Sequence, residues 1–177
     1  MKKKRTISLI CALILLLASG YFLKDYIKDS NESEKYTGES LVIGTIGAKQ
    51  KVDNPRVKYV ELSIEDLDAI HTSEYDAIIL SGESVFKEAS KNIYTDTFNK
   101  LRIPVFFLEL FKPYTIFTSK NYTYDDAGTY DFLGATQGIL NKEDGSILKW
   151  SINVHEASKN SIDQIRYTEI FNIVDQL

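Results

Sequence analysis

The segment IPVFFLELF, residues 103–111, constrains the fold more than any other stretch. A strand sends successive side chains to opposite faces, so a continuous apolar run must be buried on both. YDAIILS, residues 75–81, has the same character in its centre. Between the two, Val85, Phe86, Ala89, Ile93, Phe98 and Leu101 recur at helical spacing. Lys87, Glu88, Lys91, Asp96 and Lys100 fall mostly elsewhere, which predicts one amphipathic helix over 85–101. Two doubly buried strands joined by such a helix imply a parallel sheet covered on both sides.

The flanking segments extend this pattern. LVIGTIG, 41–47, and VKYVEL, 57–62, read as two earlier strands. Ser63 is a suitable N-cap for a helix in IEDLDAIH, with Glu65 and Asp66 in its first turn. After Pro113 the pattern changes, and YTIFT, 114–118, reads as a further strand. FLGATQGIL, 132–140, and SILKWSINV, 146–154, flank an Asp144-Gly145 pair that marks a hairpin turn. Leu148, Trp150, Ile152 and Val154 alternate with Lys149, Ser151 and Asn153, so one face is buried and one wet. Residues 161–177 form a closing helix capped by Asn160 or Ser161, with Ile162, Ile165, Ile173, Val174 and Leu177 as its core stripe.

The fold class is therefore α/β: a small, mostly parallel sheet flanked by helices, ending in an antiparallel hairpin and a C-terminal helix. This element order resembles that of flavodoxin-like and class I amidotransferase-like domains. No motif of either family is present, and the amidotransferase nucleophilic cysteine has no counterpart.

Lys2, Lys3, Lys4 and Arg5 precede an uncharged run, TISLICALILLLASGYFL, residues 6–23. As a helix it spans about 26 Å, at the short end for a bilayer. Four cations hold its start in the cytoplasm, so the rest of the chain is exported. Ala18-Ser19-Gly20 offers a cleavage site, which would make the domain secreted, but Tyr21, Phe22 and Leu23 continue the run past it. The reading is a signal anchor over 1–23, a polar juxtamembrane linker over 24–40 and an exported domain over 41–177. The single cysteine, Cys11, lies inside the anchor behind bulky Ile10, a poor context for lipidation. The exported part thus has no disulfide and no thiolate.

Formal net charge is −4, and Lys2 to Arg5 contribute +4, which leaves −8 for the remainder. An acidic domain repels phosphate backbones, so nucleic acid is not an expected partner.

Ligands of open parallel sheets bind at the carboxyl ends of the strands. This rule singles out Lys49 after the first strand, Ser81 and Glu83 after the third, and Glu109 in the fourth. Glu109 in so apolar a strand needs a partner, and a place at the strand's exposed end would let Lys112 or Lys49 supply it. Ser84 in Ser81-Gly82-Glu83-Ser84 half-matches a hydrolase elbow, with His155 as the downstream histidine. Phe86 stands where the second elbow glycine belongs, so Ser81 or Ser84 reads better as a helix cap. Gly44 to Lys49 lacks P-loop spacing, and VHEAS, 154–158, lacks the second zinc-binding histidine. No metal or cofactor is expected. Tyr122 and Tyr124 lie in an aromatic-polar stretch over 114–132, a composition suited to a protein, peptide or glycan.

The combined expectation is a membrane-anchored extracytoplasmic binding or accessory module, without catalytic activity, at the cell surface. The alternative is a surface serine hydrolase using Ser84 and His155. Nothing in the sequence sets an oligomeric state.

Overall fold

The computed structural model describes residues 35–47, 52–70, 74–130, 136–154 and 159–177. The anchor at 6–23, Lys49, His71 and His155 lie outside the described residues. No helix among the described residues is long and apolar enough to cross a membrane.

Six strands form one sheet in the order β2-β1-β3-β4-β5-β6. They are β1 (Leu41–Ile46), β2 (Val57–Leu62), β3 (Ala77–Ser81), β4 (Val105–Leu108), β5 (Thr136–Asn141) and β6 (Ile147–Ile152). β1 pairs parallel with β2 and β3, and β3 pairs parallel with β4. β5 and β6 run antiparallel. The hairpin turns at Gly145, φ 82°, while the Asp144 carboxylate accepts from the Ser146 backbone and hydroxyl. The fold class read from the sequence thus holds at the level of a mixed α/β sheet.

Two apolar layers follow from the period of two along the strands. Ile78, Leu80, Val105 and Phe107 point to the first layer. Ala77, Ile79, Phe106 and Leu108 point to the second. Covering the first are a 3-10 turn (Glu65–Ala69) and three helices, α1 (Glu83–Ala89), α2 (Asn92–Lys100) and α3 (Thr115–Thr118). Among the described elements a single helix, α4 (Lys159–Asp175), covers the second.

Several local expectations are corrected. The helix over 85–101 is two helices, because Lys91 is extended (ψ 143°) and the buried Ser90 hydroxyl turns back to the Lys87 carbonyl. The helix after Ser63 is a 3-10 turn. YTIFT is helical, and it buries the successive residues Ile116 and Phe117 in the same layer, which a strand would not do. Phe117 stacks on Phe107 at 4.3 Å. The buried stripe of α4 is Tyr167, Ile170, Phe171 and Val174. Ile162, Ile165 and Ile173 are only half-buried, and Leu177 is exposed. Asn160 and Ser161 lie inside α4 rather than at its cap. Tyr36, assigned to the linker, is buried against Phe171, and its hydroxyl donates to the Asp175 carboxylate.

Candidate functional site

The carboxyl end of the sheet is built from the ends of β1, β3 and β4. At the first, Gly47 takes φ 76°, and a side chain there would strike Val85 and the Ser81 carbonyl. The β1 end is therefore closed down on β3 and α1. Ser81, half-buried, pairs with Leu108 in the ladder.

The turn after β3 differs from expectation. Gly82, φ 96°, is the N-cap of α1, and no side chain caps the helix. Neither Ser81 nor Ser84 fills that role. At φ 96° the cap position has a backbone conformation that a capping serine or threonine would not readily adopt, so glycine fills it. Ser84 is exposed in the first turn of α1, past the bend. A nucleophile elbow would hold it at the bend itself. Glu83 opens α1 and pairs with Lys87 at 2.9 Å. The Lys87 hydrogen bond holds the Glu83 carboxyl below its ordinary range and raises the lysine in turn.

The strained position at this edge is Glu109. Its φ is 59°, left-handed for a residue with a side chain. The cause is visible in its neighbours. Leu108 is buried in the second layer and Leu110 in the first. In an unbroken strand residues two apart share a face. The left-handed residue throws the chain from one layer to the other and ends β4. This is why the strand stops at Leu108 although the sequence stays apolar to Phe111.

Glu109 does not pair with Lys112. The Arg166 Nη1 donates to Glu109 Oε1 at 3.3 Å and to Asp163 Oδ1 at 3.3 Å. The Arg166 side chain is 6% exposed, and that of Glu109 is 60% exposed. Arg166 Nε is buried without a partner among the described residues. Lys112 instead donates to the Ala127 carbonyl and stands 4.5 Å over the Tyr124 ring. Arg166 was missed because a lone arginine in a helical stretch carries no spacing signal.

Tyr122 and Tyr124 are half-buried and pack on the first layer. The Tyr124 ring stacks on Phe86, and its N–H donates to Ser90 Oγ at 2.9 Å. Burial pushes the Tyr124 hydroxyl up. Asn121 and Asn92 exchange two hydrogen bonds, which ties the same segment to α2. Among the described aromatics of this edge, Phe111, 42% exposed, and Tyr130, 41% exposed, face water. Tyr130 N–H donates to the Phe111 carbonyl at 2.8 Å, so the two are neighbours.

Gln137 on β5 holds this edge from beneath. It is buried, donates to the Leu110 and Lys112 carbonyls, and accepts from Tyr114 N–H. The chain leaving Glu109 is thereby fixed at three points. Among the described residues no group of three or more His, Cys, Asp and Glu side chains is placed to hold a metal ion.

No family model, curated protein or solved structure matches the chain. The site must be read from its own chemistry. Among the described residues it presents the exposed carboxylates Glu83 and Glu109, two exposed aromatics, and the cations Lys87, Lys112 and Arg166, each in contact with a group of the same domain. Such a surface suits recognition through packing and charge.

Proposed function

We propose that this chain is a membrane-anchored, extracytoplasmic binding module that recognises a protein, peptide or glycan at the cell surface. The observation that carries the reading is the exposed pair Phe111 and Tyr130 beside Glu109 at the carboxyl end of β4. Aromatic side chains are enriched at interaction surfaces, and a charge at the rim adds specificity. The basic stub and apolar run at 1–23 support an N-terminal transmembrane helix with the domain outside. The strand order β2-β1-β3-β4 supports a flavodoxin-like scaffold whose ligand edge is this one.

A photoreactive residue in place of Phe111 tests the reading in intact cells. A crosslinked partner is expected, diminished by Tyr130→Ser and by Glu109→Gln. Added protease should reach the folded domain from outside the cell. A domain protected from that protease, or Phe111 crosslinking to lipid and solvent alone, would sink the proposal.

A further inference from the structure

Glu109 stands where glycine would cost the backbone less. Its φ is 59°, and a left-handed residue that carries a side chain is an outlier of the kind that clusters at functional positions. What glutamate adds over glycine is a carboxylate, and its surroundings keep that carboxylate outward. Arg166 Nη1 holds Oε1 at 3.3 Å, and the side chain is more than half exposed. Among the described residues Oε2 makes no hydrogen bond or ion pair. The described lysines of this edge are turned elsewhere. Lys112 donates to the Ala127 carbonyl, and Lys87 pairs with Glu83 at 2.9 Å.

Phe111 follows two residues later, so its Cα lies within about 7 Å of that of Glu109. The main chain between and beyond them is fixed. Gln137 donates to the carbonyls of Leu110 and Lys112, and Tyr130 N–H donates to that of Phe111. Three successive carbonyls are held, so a partner meets a carboxylate and an exposed ring already in place, which lowers the cost of ordering them.

The chemistry of position 109 selects the partner. An ionised carboxylate only accepts hydrogen bonds, whereas a glutamine would donate as well. A polyhydroxyl ligand is served by either. A cation is the donor that gains most from a carboxylate, and it is also drawn to the face of an aromatic ring within about 6 Å. The stem of a lysine or arginine can lie along an apolar ring while its head stays in water beside the carboxylate. The chain beyond Arg5 carries −8, which steers cations toward the domain.

We infer that the strand-end surface receives a basic segment of a partner protein, with a lysine or arginine laid across Phe111 and its cation on Glu109 Oε2. The basic segment is a narrower partner than the protein, peptide or glycan proposed above, and it depends on that same surface. A second copy of this chain fits less well, because two domains of −8 repel.

The full chain in nanodiscs of uncharged phosphatidylcholine would be titrated into a dye-labelled peptide alternating lysine and glycine. Two companion peptides carry serine or glutamate in place of lysine. Anisotropy should rise saturably with the lysine peptide alone. Glu109→Gln should weaken binding about tenfold, the scale of a lost charge-assisted hydrogen bond, and Glu109→Asp should recover part of it. Phe111→Ser, at an exposed position, should weaken it too. Glu143→Gln removes the same charge from the hairpin turn at the other end of the sheet, and should leave binding unchanged. No saturable binding, equal binding of the serine or glutamate peptide, or equal losses in the Glu109 and Glu143 variants overturns the assignment. So do dimers in sedimentation that Glu109→Gln dissolves, which would make the surface a contact between copies. Crosslinking from position 111 in cells separates the two readings. A partner captured there despite a negative titration keeps the binding surface and discards the basic segment. A lysine peptide bound through Glu109 without any partner in cells keeps the cation site and discards the cell-surface role.

Discussion

Arg166 and Glu109 stand 57 positions apart in sequence and meet at the end of β4, where Arg166 Nη1 donates to Glu109 Oε1 at 3.3 Å. The buried cation rests on α4, and the exposed carboxylate rests on a left-handed backbone. Left-handed φ costs a residue with a Cβ about 1–2 kcal/mol, and glycine almost nothing. At ordinary positions alanine is the more stable of the two by about 0.4–1 kcal/mol. The order should invert here. Glu109→Gly should exceed Glu109→Ala by about 1 kcal/mol in denaturant unfolding, with both variants lacking the ion pair. Alanine at least as stable as glycine would show that the turn relaxes without strain.

Gln137 is the buried residue on which the strand-end surface depends. Replacing it by leucine keeps its approximate volume and strands the carbonyls of Leu110 and Lys112. A buried unsatisfied acceptor costs about 1–3 kcal/mol, so Gln137→Leu should lose about 2–3 kcal/mol. Hydrogen exchange should quicken at Tyr114, whose N–H bonds to the Gln137 side chain. Unchanged exchange there would mean that the segment after Glu109 is held by other contacts.

The sheet was legible where one period dominated. VKYVEL and the alternation of Leu148, Trp150 and Ile152 appear in β2 and β6 as read. The Asp144-Gly145 turn lies in the hairpin. What failed was local competition that a period cannot express. Ser90 breaks a helix by bonding its own turn and the Tyr124 amide at once. Pro113 starts a short helix that buries two adjacent apolar residues where alternation suggested a strand. The site was half legible. Strand-end logic placed Ser81, Glu83 and Glu109 at one edge. It could not supply Arg166, whose contact with Glu109 exists only after α4 docks. Nor could it separate Tyr122 and Tyr124, which pack inward, from Phe111 and Tyr130, which face water.

Two glycines at this edge should respond differently to substitution. A Cβ on Gly47 would lie 2.3 Å from Val85 Cγ2 and 2.6 Å from the Ser81 carbonyl oxygen. One on Gly82 would meet nothing within 4 Å. Both have positive φ, so both carry backbone strain of about 1–3 kcal/mol as alanine. Gly47→Ala adds overpacking against main chain, for a total of about 3 kcal/mol or more. Thermal unfolding of the two variants checks the difference. Equal losses would mean that β1 and α1 can separate at little cost.

Stability should fall at both ends of the pH scale, by opposite logic. Asp126 accepts from the Thr123 hydroxyl and N–H, and Asp66 accepts from the Ser63 N–H. These bonds hold both carboxyls below the ordinary 3.8. The folded state therefore binds their protons less readily than the unfolded chain. The stabilisation is complete above that ordinary value and is lost as pH falls through the lower folded one. Tyr167 goes the other way, pushed up to about 12 chiefly by burial, and Tyr59 is also raised by burial. Their stabilisation is complete below the ordinary 10.0 and is lost as pH rises toward the folded values. Denaturant midpoints across pH should show a plateau between these limits. Asp126→Asn should flatten the acid limb, and Tyr59→Phe the alkaline limb. An acid limb unchanged by both Asp126→Asn and Asp66→Asn would place its protons on other groups.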